Sequence, residues 1–195
     1  REQYFITTGL VRRNDFRSPA GFGLQWGVVV DWLYDDYYVQ MTQSQIRTEF
    51  GLLGPENDEI GFWGAFGTGQ DEALLLNQIM EVWEPIDQYN FYYRRNFAGG
   101  TQGRLWAGFS GEADGIFGGD MRVVFSPAMA FTMNFNYLAP NEGRDEGGQM
   151  EEAWGLSFNV SLFPGLAAQR ASYSRYRPMF TVADNSVMMT QRMGP

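Results

Sequence analysis

The sequence of 195 residues contains no cysteine, no histidine and no lysine, so all 14 basic residues are arginine. Without cysteine and histidine, the chain cannot form disulfides, thiolate or imidazole metal sites, cysteine nucleophiles or histidine-based triads. Most of the groups that enzymes use for catalysis are therefore missing. We expect a protein that is not an enzyme and that holds no cofactor.

Positive charge and long apolar runs are also scarce. The chain has 23 acidic residues and a net charge of -9, which disfavours nucleic acid as a partner because its phosphates require a cationic surface. The longest apolar blocks are residues 26–30 and 73–76, whereas a membrane-spanning helix requires roughly 18 to 20 apolar residues. A helical membrane protein is excluded, but an acidic chain can still insert as a barrel through an apolar belt.

Several segments place an apolar or aromatic residue at every second position. In one segment these are Met129, Phe131, Met133, Phe135 and Tyr137, and in another they are Trp154, Leu156, Phe158, Val160 and Leu162. The residues between them are mostly small or polar. Because successive side chains of a strand point to opposite faces, each segment has one apolar and one polar face. This pattern is typical of the strands of membrane-spanning barrels, whose aromatic residues gather at the two interfaces.

Strand-like segments separated by turn residues recur along the chain and predict an all-β fold, an antiparallel up-and-down β-barrel of about ten strands (8 to 12). The predicted strands are residues 3–11, 22–34, 37–52, 59–66, 74–83, 89–97, 103–110, 119–126, 129–138 and 151–163. The alternation is imperfect in residues 74–83, which are also compatible with a helix. We predict a barrel domain at residues 1–165 and an extended C-terminal arm or tail at residues 166–195.

The alternation assigns side chains to an outer face and to a lumen. Outer-face candidates are Phe22, Trp26, Trp32, Phe131, Phe135, Tyr137, Trp154 and Phe158, and lumen candidates are Asp31, Arg94, Arg104, Asp120, Arg122, Asn134 and Asn136. The interior of a narrow barrel is usually filled with side chains, so an internal Arg–Asp network is favoured over an ion-selective constriction. Residues 40–45 are polar on both faces. This indicates that the strand emerges above a bilayer, packs on protein, or belongs to a soluble barrel.

Two acidic loops raise the question of calcium. Asp58 and Glu59 in one loop, with Asp145 and Glu146 in the other, are weak candidates because they group carboxylate oxygens as calcium ligands do. Neither loop has the spacing of a helix-loop-helix calcium site, so solvated loops are the favoured interpretation. Metal binding is therefore not part of the prediction.

Several short motifs resemble those of an uncharacterised family of planctomycete proteins. They are Asp-Gly-Ile-Phe-Gly-Gly-Asp (114–120), Asn-Tyr-Leu-Ala-Pro (136–140), Glu-Glu-Ala-Trp (151–154), Phe-Pro-Gly (163–165) and Arg-Pro-Met-Phe-Thr-Val-Ala-Asp-Asn (177–185). The likeness covers mainly residues 88–190, and it implies a cell-envelope β-barrel-like protein of unknown function, with no catalytic residues to carry over. The chain departs from ordinary outer-membrane barrels, which typically end at an aromatic residue closing the last strand, because residues 164–195 follow Phe163.

Three functional hypotheses follow. The leading one is a non-enzymatic structural or pore-like β-barrel of the bacterial outer membrane or cell surface, with membrane lipid against its aromatic outer face. The alternative is a secreted or surface subunit of a filament, tube or layer, a homo-oligomer that contacts copies of itself through that face and through residues 166–195. The third is a lipocalin-like soluble ligand-binding barrel, which requires its large apolar residues to face inward.

Overall fold

The structure, a computed structural model, describes residues 2–14, 23–36, 40–69, 71–74, 80–141, 152–165, 167–169 and 188–192. This part of the chain is nearly all β. Its strands are β1 (Gln3–Arg12), β2 (Gly23–Asp36), β3 (Gln40–Leu53), β4 (Asp58–Gly67), β5 (Asp71–Leu74), β6 (Met80–Pro85), β7 (Gln88–Asn96), β8 (Gln102–Ser110), β9 (Gly115–Ser126), β10 (Met129–Ala139), β11 (Ala153–Leu162) and β12 (Thr190–Arg192). Among these residues, no helix has the length and apolar character needed to cross a membrane.

Nine strands form one antiparallel sheet in the order β1-β2-β3-β4-β7-β8-β9-β10-β11, which curls into a half-barrel. The predicted all-β, antiparallel, up-and-down fold is confirmed. In the described part of the chain, β1 and β11 are the two edges of this sheet. Because the direction alternates from strand to strand, these two edge strands point the same way.

The prediction of one sheet-crossing strand at residues 74–83 is wrong. β5 and β6 fold back on each other, with Leu74 opposite Met80, and they join β12 in a separate three-stranded sheet. Strands of four and six residues are too short to cross a half-barrel whose strands span 9 to 14 residues. The helical alternative falls largely on residues 75–79, which lie outside the described part.

The connections divide between two ends of the half-barrel. At the short-turn end, the links between sheet strands are residues 13–22, 54–57, 97–101 and 127–128. At the small-sheet end, they are residues 37–39, 68–87, 111–114 and 140–152, and the second of these contains β5 and β6. The small sheet extends this end, where the backbone N–H of Thr68 donates to the carbonyl of Ser44 at 2.9 Å.

Both described pieces of the predicted C-terminal arm contact the sheet of their own chain. At the short-turn end, the backbone N–H of Ala168 donates to the carbonyl of Pro127 at 2.8 Å. At the small-sheet end, β12 pairs with β6, and the N–H of Ile86 donates to the carbonyl of Met189 at 2.8 Å. The division between barrel and arm at residue 165 stays a prediction.

An apolar cluster lies on the concave side, in the half of the molecule nearer the small-sheet end. Its members are Trp63, Ala65, Ile86, Tyr92, Trp106, Ile116, Leu138 and Met189. The rings of Trp63 and Trp106 meet edge to face at 5.8 Å. Gly118 lies beneath this contact, because a Cβ there would come within 2.6 Å of the Trp106 ring and would strike the Phe135 carbonyl.

We expect Gly118→Ala to lower the free energy of unfolding by about 1–3 kcal/mol, the usual cost of overpacking a filled interior. Chemical denaturation measures this. Gly115→Ala on the same strand is the matched control, because its Cβ would meet only Ala139, at 3.7 Å. Equal effects of the two substitutions would contradict this packing.

Candidate functional site

The half-barrel carries its polar side chains on the concave inner face and its apolar side chains on the outer face. Along β2, Gln25 and Asp31 are fully buried, whereas Val30 and Trp32 are 44% and 40% exposed. The same alternation recurs on β7, where Asn90 and Arg94 are buried and Phe91 is exposed. Water-soluble domains have the opposite arrangement, since Arg and Asp are almost never fully buried unless paired.

The outer belt is the set of exposed apolar side chains on the convex face of the nine strands. Its members are Tyr4, Ile6, Leu10, Leu24, Val28, Val30, Trp32, Phe50, Leu52, Ile60, Phe91, Tyr93, Leu105, Phe109, Phe117, Met121, Phe125, Met129, Met133, Phe135, Trp154, Leu156, Phe158, Val160 and Leu162. Monomeric soluble proteins rarely expose contiguous apolar patches larger than a few hundred Å². A belt that crosses all nine strands of the sheet therefore marks an interaction surface.

Charge is confined to the margins of the outer belt. On β1, Glu2 precedes the outward residues Tyr4, Ile6, Thr8 and Leu10, and Arg12 follows them. Ten residues at about 3.4 Å each measure about 34 Å along the strand, or about 26 Å across a bilayer at a barrel tilt near 40°. The apolar band of membrane barrels is about 25 Å tall, so the interval without charge between Glu2 and Arg12 is similar in height to that band.

Aromatic rings line the margin of the outer belt at the small-sheet end. Centroid distances are 6.1 Å for Tyr4–Tyr34, 5.4 Å for both Phe66–Tyr89 and Tyr89–Phe109, and 4.8 Å for Phe117–Tyr137. Trp154 lies opposite Tyr137 on the edge strand. A second aromatic row, Trp26, Phe50, Phe62 and Phe91, occupies directly paired positions on β2, β3, β4 and β7.

On the inner face, one carboxylate joins two arginines. Glu49 on β3 accepts hydrogen bonds from Arg94 at 2.6 Å and from Arg104 at 2.9 Å. Arg94 also donates to Glu59 at 2.7 Å, and Arg104 contacts Asp120 at 2.5 Å. The Glu49 network therefore links five consecutive strands of the sheet, β3, β4, β7, β8 and β9.

A second ion pair lies on the inner face near β1. Arg47 donates to Asp31 through Nη2 at 2.8 Å and also through Nε, and Gln45 donates to Asp31 at 2.9 Å. The hydroxyl of Thr7 on β1 donates to the same carboxylate at 2.6 Å. Buried charge is thus balanced along the inner face by cross-strand pairs.

The aromatic residue Tyr92 and the loop residue Arg13 complete the polar part of the inner face. The Tyr92 hydroxyl donates to Glu59, and the Arg94 guanidinium lies 4.9 Å from the centre of the Tyr92 ring. Burial lowers the pKa of Arg13 to about 10, and nearby Arg94 adds to this effect while Glu49 opposes it. Arg13 still carries its charge at neutral pH.

All seven lumen candidates point to the inner face. Arg94, Arg104 and Asp120 belong to the Glu49 network, and Asp31 pairs with Arg47. Asn136 donates to Asn134 at 3.3 Å, and half-buried Arg122 lies 5.6 Å from the centre of the Phe163 ring. The outer-face candidates Trp26, Trp32, Phe131, Phe135, Tyr137, Trp154 and Phe158 point outward, and Phe22 lies outside the described residues.

The sequence-based assignment missed the carboxylate at the centre of the network. Glu49, like Arg47 and Gln45, falls on the inner face of β3, so the alternation along the whole strand was the signal that identifies it. Residues 40–45 carry polar side chains on both faces, as the sequence indicates, and the structure favours the alternative in which their outer face packs on protein. Gln43 and Gln45 point inward. Thr42 and Ser44 point outward beside the small sheet, where the Thr42 N–H donates to Asp71 and the Ser44 and Thr68 hydroxyls are 2.7 Å apart.

The weak calcium candidates Asp58 and Glu59 are not brought together. They are adjacent on β4 and point to opposite faces, Glu59 toward Arg94 and Asp58 toward Arg95. Asp145 and Glu146 lie outside the described residues. Within the described ranges, no group of three or more carboxylates is arranged to hold a metal ion.

A family model described as "Family of unknown function (DUF6666)" matches residues 1–190. No curated protein and no solved structure matches the chain.

We expect Arg94→Met to cost about 3–5 kcal/mol of unfolding free energy, because it leaves the buried carboxylates of Glu49 and Glu59 without their shared cation. Arg95→Met on the next residue is the matched control, since its pair with Asp58 is 3.6 Å long and exposed, and we expect a loss below about 1 kcal/mol. Denaturant titration of both variants measures the difference. A loss at position 95 as large as that at position 94 would contradict the network's role.

Proposed function

The chain belongs to the DUF6666 family of unknown function, and we propose that it is a non-enzymatic structural β-barrel element of a bacterial envelope, embedded in the outer membrane. The observation that supports this most strongly is the charge-free outer belt lying over a charged, ion-paired inner face. A planctomycete source is part of the same proposal, and it rests on the sequence motifs alone.

Lipid is the partner that suits the outer belt. In water, each exposed Leu, Phe or Trp side chain forgoes about 1.5–3 kcal/mol that burial would supply. Hydrocarbon removes this penalty for all belt residues together, and the hydrogen bonds between neighbouring strands satisfy the backbone groups of the strands that lie between the two sheet edges. The rings at the small-sheet margin have the amphipathic character that suits a membrane interface.

The inner face supports a structural role over an open pore and over an enzyme. Glu49, Glu59, Arg94 and Arg104 are committed to one another, and three of these side chains are at most 2% exposed. Charges that brace neighbouring strands are not available as a mobile acid, a base or an ion-selective ring. The lipocalin-like hypothesis requires large apolar residues around an internal ligand cavity. Those on the concave side, such as Trp63 and Trp106, pack on one another in the apolar cluster, and we do not carry this hypothesis forward.

The experiment is one charged substitution in the middle of the outer belt. We expect Leu156→Arg to lower the free energy of unfolding in phospholipid vesicles by about 2–4 kcal/mol, the cost of arginine facing lipid near the midplane of a barrel. On a water-facing surface the same substitution changes stability by only about 0.5 kcal/mol.

Gln40→Arg is the matched control, because Gln40 is exposed at the first position of β3, beyond the margin of the belt. We expect a loss of at most about 1 kcal/mol there. A negligible effect of Leu156→Arg in folded, vesicle-bound protein would count against the membrane proposal.

A second candidate, the self-assembling surface subunit, is favoured by one observation: in the described part of the chain β1 and β11 are the edges of the sheet, and sheet edges are templates for pairing with another chain. The two candidates differ in solution behaviour. The membrane proposal predicts extraction only with detergent, as particles containing one copy. Multi-copy particles that stay soluble without detergent support the assembly candidate, and light scattering of the full chain measures this.

A further inference from the structure

Among the described residues, the two ends of the molecule differ in net charge: the short-turn end has Arg12, Arg13 and Arg95 with Glu56 and Asp58, and the small-sheet end is mostly acidic. The small-sheet end holds ten carboxylates among the described side chains: Glu2, Asp35, Asp36, Asp71, Glu72, Glu84, Asp87, Glu112, Asp114 and Glu152. Among the described residues, the one arginine at this end is Arg192 on β12. Its electrostatic potential is therefore strongly negative.

At the short-turn end, arginines stand on the margin of the outer belt. Arg12 is the last residue of β1 and points to the outer face. It pairs with Trp26 across the strands and follows exposed Leu10 by two positions. Arg95 points outward from β7 and is 46% exposed; it lies beside Tyr93 and Glu56 and pairs with Asp58 across the strand at 3.6 Å. We name Arg12 and Arg95 the arginine rim.

We propose that the arginine rim binds the phosphate groups of anionic phospholipid headgroups in the leaflet at the short-turn end, while the acidic small-sheet end faces water on the opposite side. This inference rests on the proposed membrane function. The inference adds which class of lipid the protein binds and at which of its two ends.

Under the membrane proposal, the arginine rim lies at the level of the lipid headgroups. Arg12 lies at the end of the belt segment whose length matches the apolar band of a barrel, so its guanidinium reaches the interface rather than the hydrocarbon. A basic residue near an anionic lipid surface contributes about 1 kcal/mol, which is about fivefold in association. The guanidinium fork also matches two phosphate oxygens at once.

The opposite end has the reverse preference. The ten carboxylates would repel anionic headgroups. Both ends of the protein therefore favour the same orientation, with the anionic lipid at the short-turn end. The connections agree with this polarity, because membrane barrels have short turns on the periplasmic side and longer loops outside. Here the links at the short-turn end have ten, four, five and two residues, and those at the small-sheet end have three, twenty, four and thirteen, so the longest links lie at the small-sheet end.

The test uses two thiols on one strand, which is possible because the chain has no cysteine of its own. Leu10→Cys lies next to Arg12 and Tyr4→Cys lies beside Glu2, and both positions are exposed on the outer face of β1. Each single-cysteine full chain receives an environment-sensitive fluorophore and is folded into vesicles. These contain nitroxide-labelled phosphatidylglycerol or nitroxide-labelled phosphatidylcholine at equal mole fraction.

At position 10, we expect labelled phosphatidylglycerol to associate with the protein about fivefold more strongly than labelled phosphatidylcholine. At position 4, we expect the two lipids to associate equally. Arg12→Gln should remove the preference at position 10, and Arg12→Lys, which keeps the charge, should retain most of it. Raising the ionic strength should weaken the preference, because exposed charges are screened.

The outcomes separate this inference from the function on which it rests. Quenching of neither label by either lipid would overturn the membrane proposal itself. Equal quenching by both lipids at position 10 would leave that proposal standing and overturn the headgroup inference. A preference for phosphatidylglycerol at position 4, or one at position 10 that survives Arg12→Gln, would also overturn the inference. Circular dichroism of every variant confirms that the strands remain folded.

Discussion

The structure depends on the buried carboxylate of Glu49. It lies between Arg94 and Arg104, and through them it connects to Glu59 and Asp120, so that one network braces five strands. Buried charges are stable only when every member is paired, because an isolated ion away from water costs several kcal/mol. The registers of β3, β4, β7, β8 and β9 are therefore fixed together: a slip of one residue would move an inner charge to the outer face.

Placing charge inside leaves the apolar side chains to face outward. The sequence contains enough apolar residues for an ordinary core, at 44% of the chain, yet the described apolar cluster is confined to one half of the concave side. Burial from water therefore cannot be the main stabilising term for the outer half of each strand. Hydrogen bonding along the ladder and the inner ion pairs contribute to it, and under the membrane proposal an apolar environment outside adds to them.

Much of this arrangement is readable from the sequence, and the failures have physical causes. β2, β10 and β11 are recognisable because their two faces differ at nearly every position. The sequence leaves three interpretations open for the polar start of β3, because Thr42 and Ser44 obtain their partners from residues 68 and 71, which only the folded chain brings close. The start of β9 was placed late because Gly118-Gly119 resembles a turn, although Gly118 is small to admit the Trp106 ring. Alternation also predicts that Arg94, Arg104 and Asp120 share one face. Their partner Glu49 is distant in sequence, and the pattern within one strand does not determine which residues of other strands lie beside it.

The two sheet edges follow from the same constraint. Lipid has no hydrogen-bonding groups, so under the membrane proposal every N–H and C=O group on the outer side of β1 and β11 needs a partner from protein. β1 and β11 point the same way, so pairing them directly would place one parallel ladder in an otherwise antiparallel barrel. A second copy in the same membrane orientation would create two such parallel junctions. An all-antiparallel closure therefore requires an odd number of further strands between β11 and β1. Under the membrane proposal, insertion therefore requires that both edges be paired. The strands that pair with β1 and with β11 must run antiparallel to them.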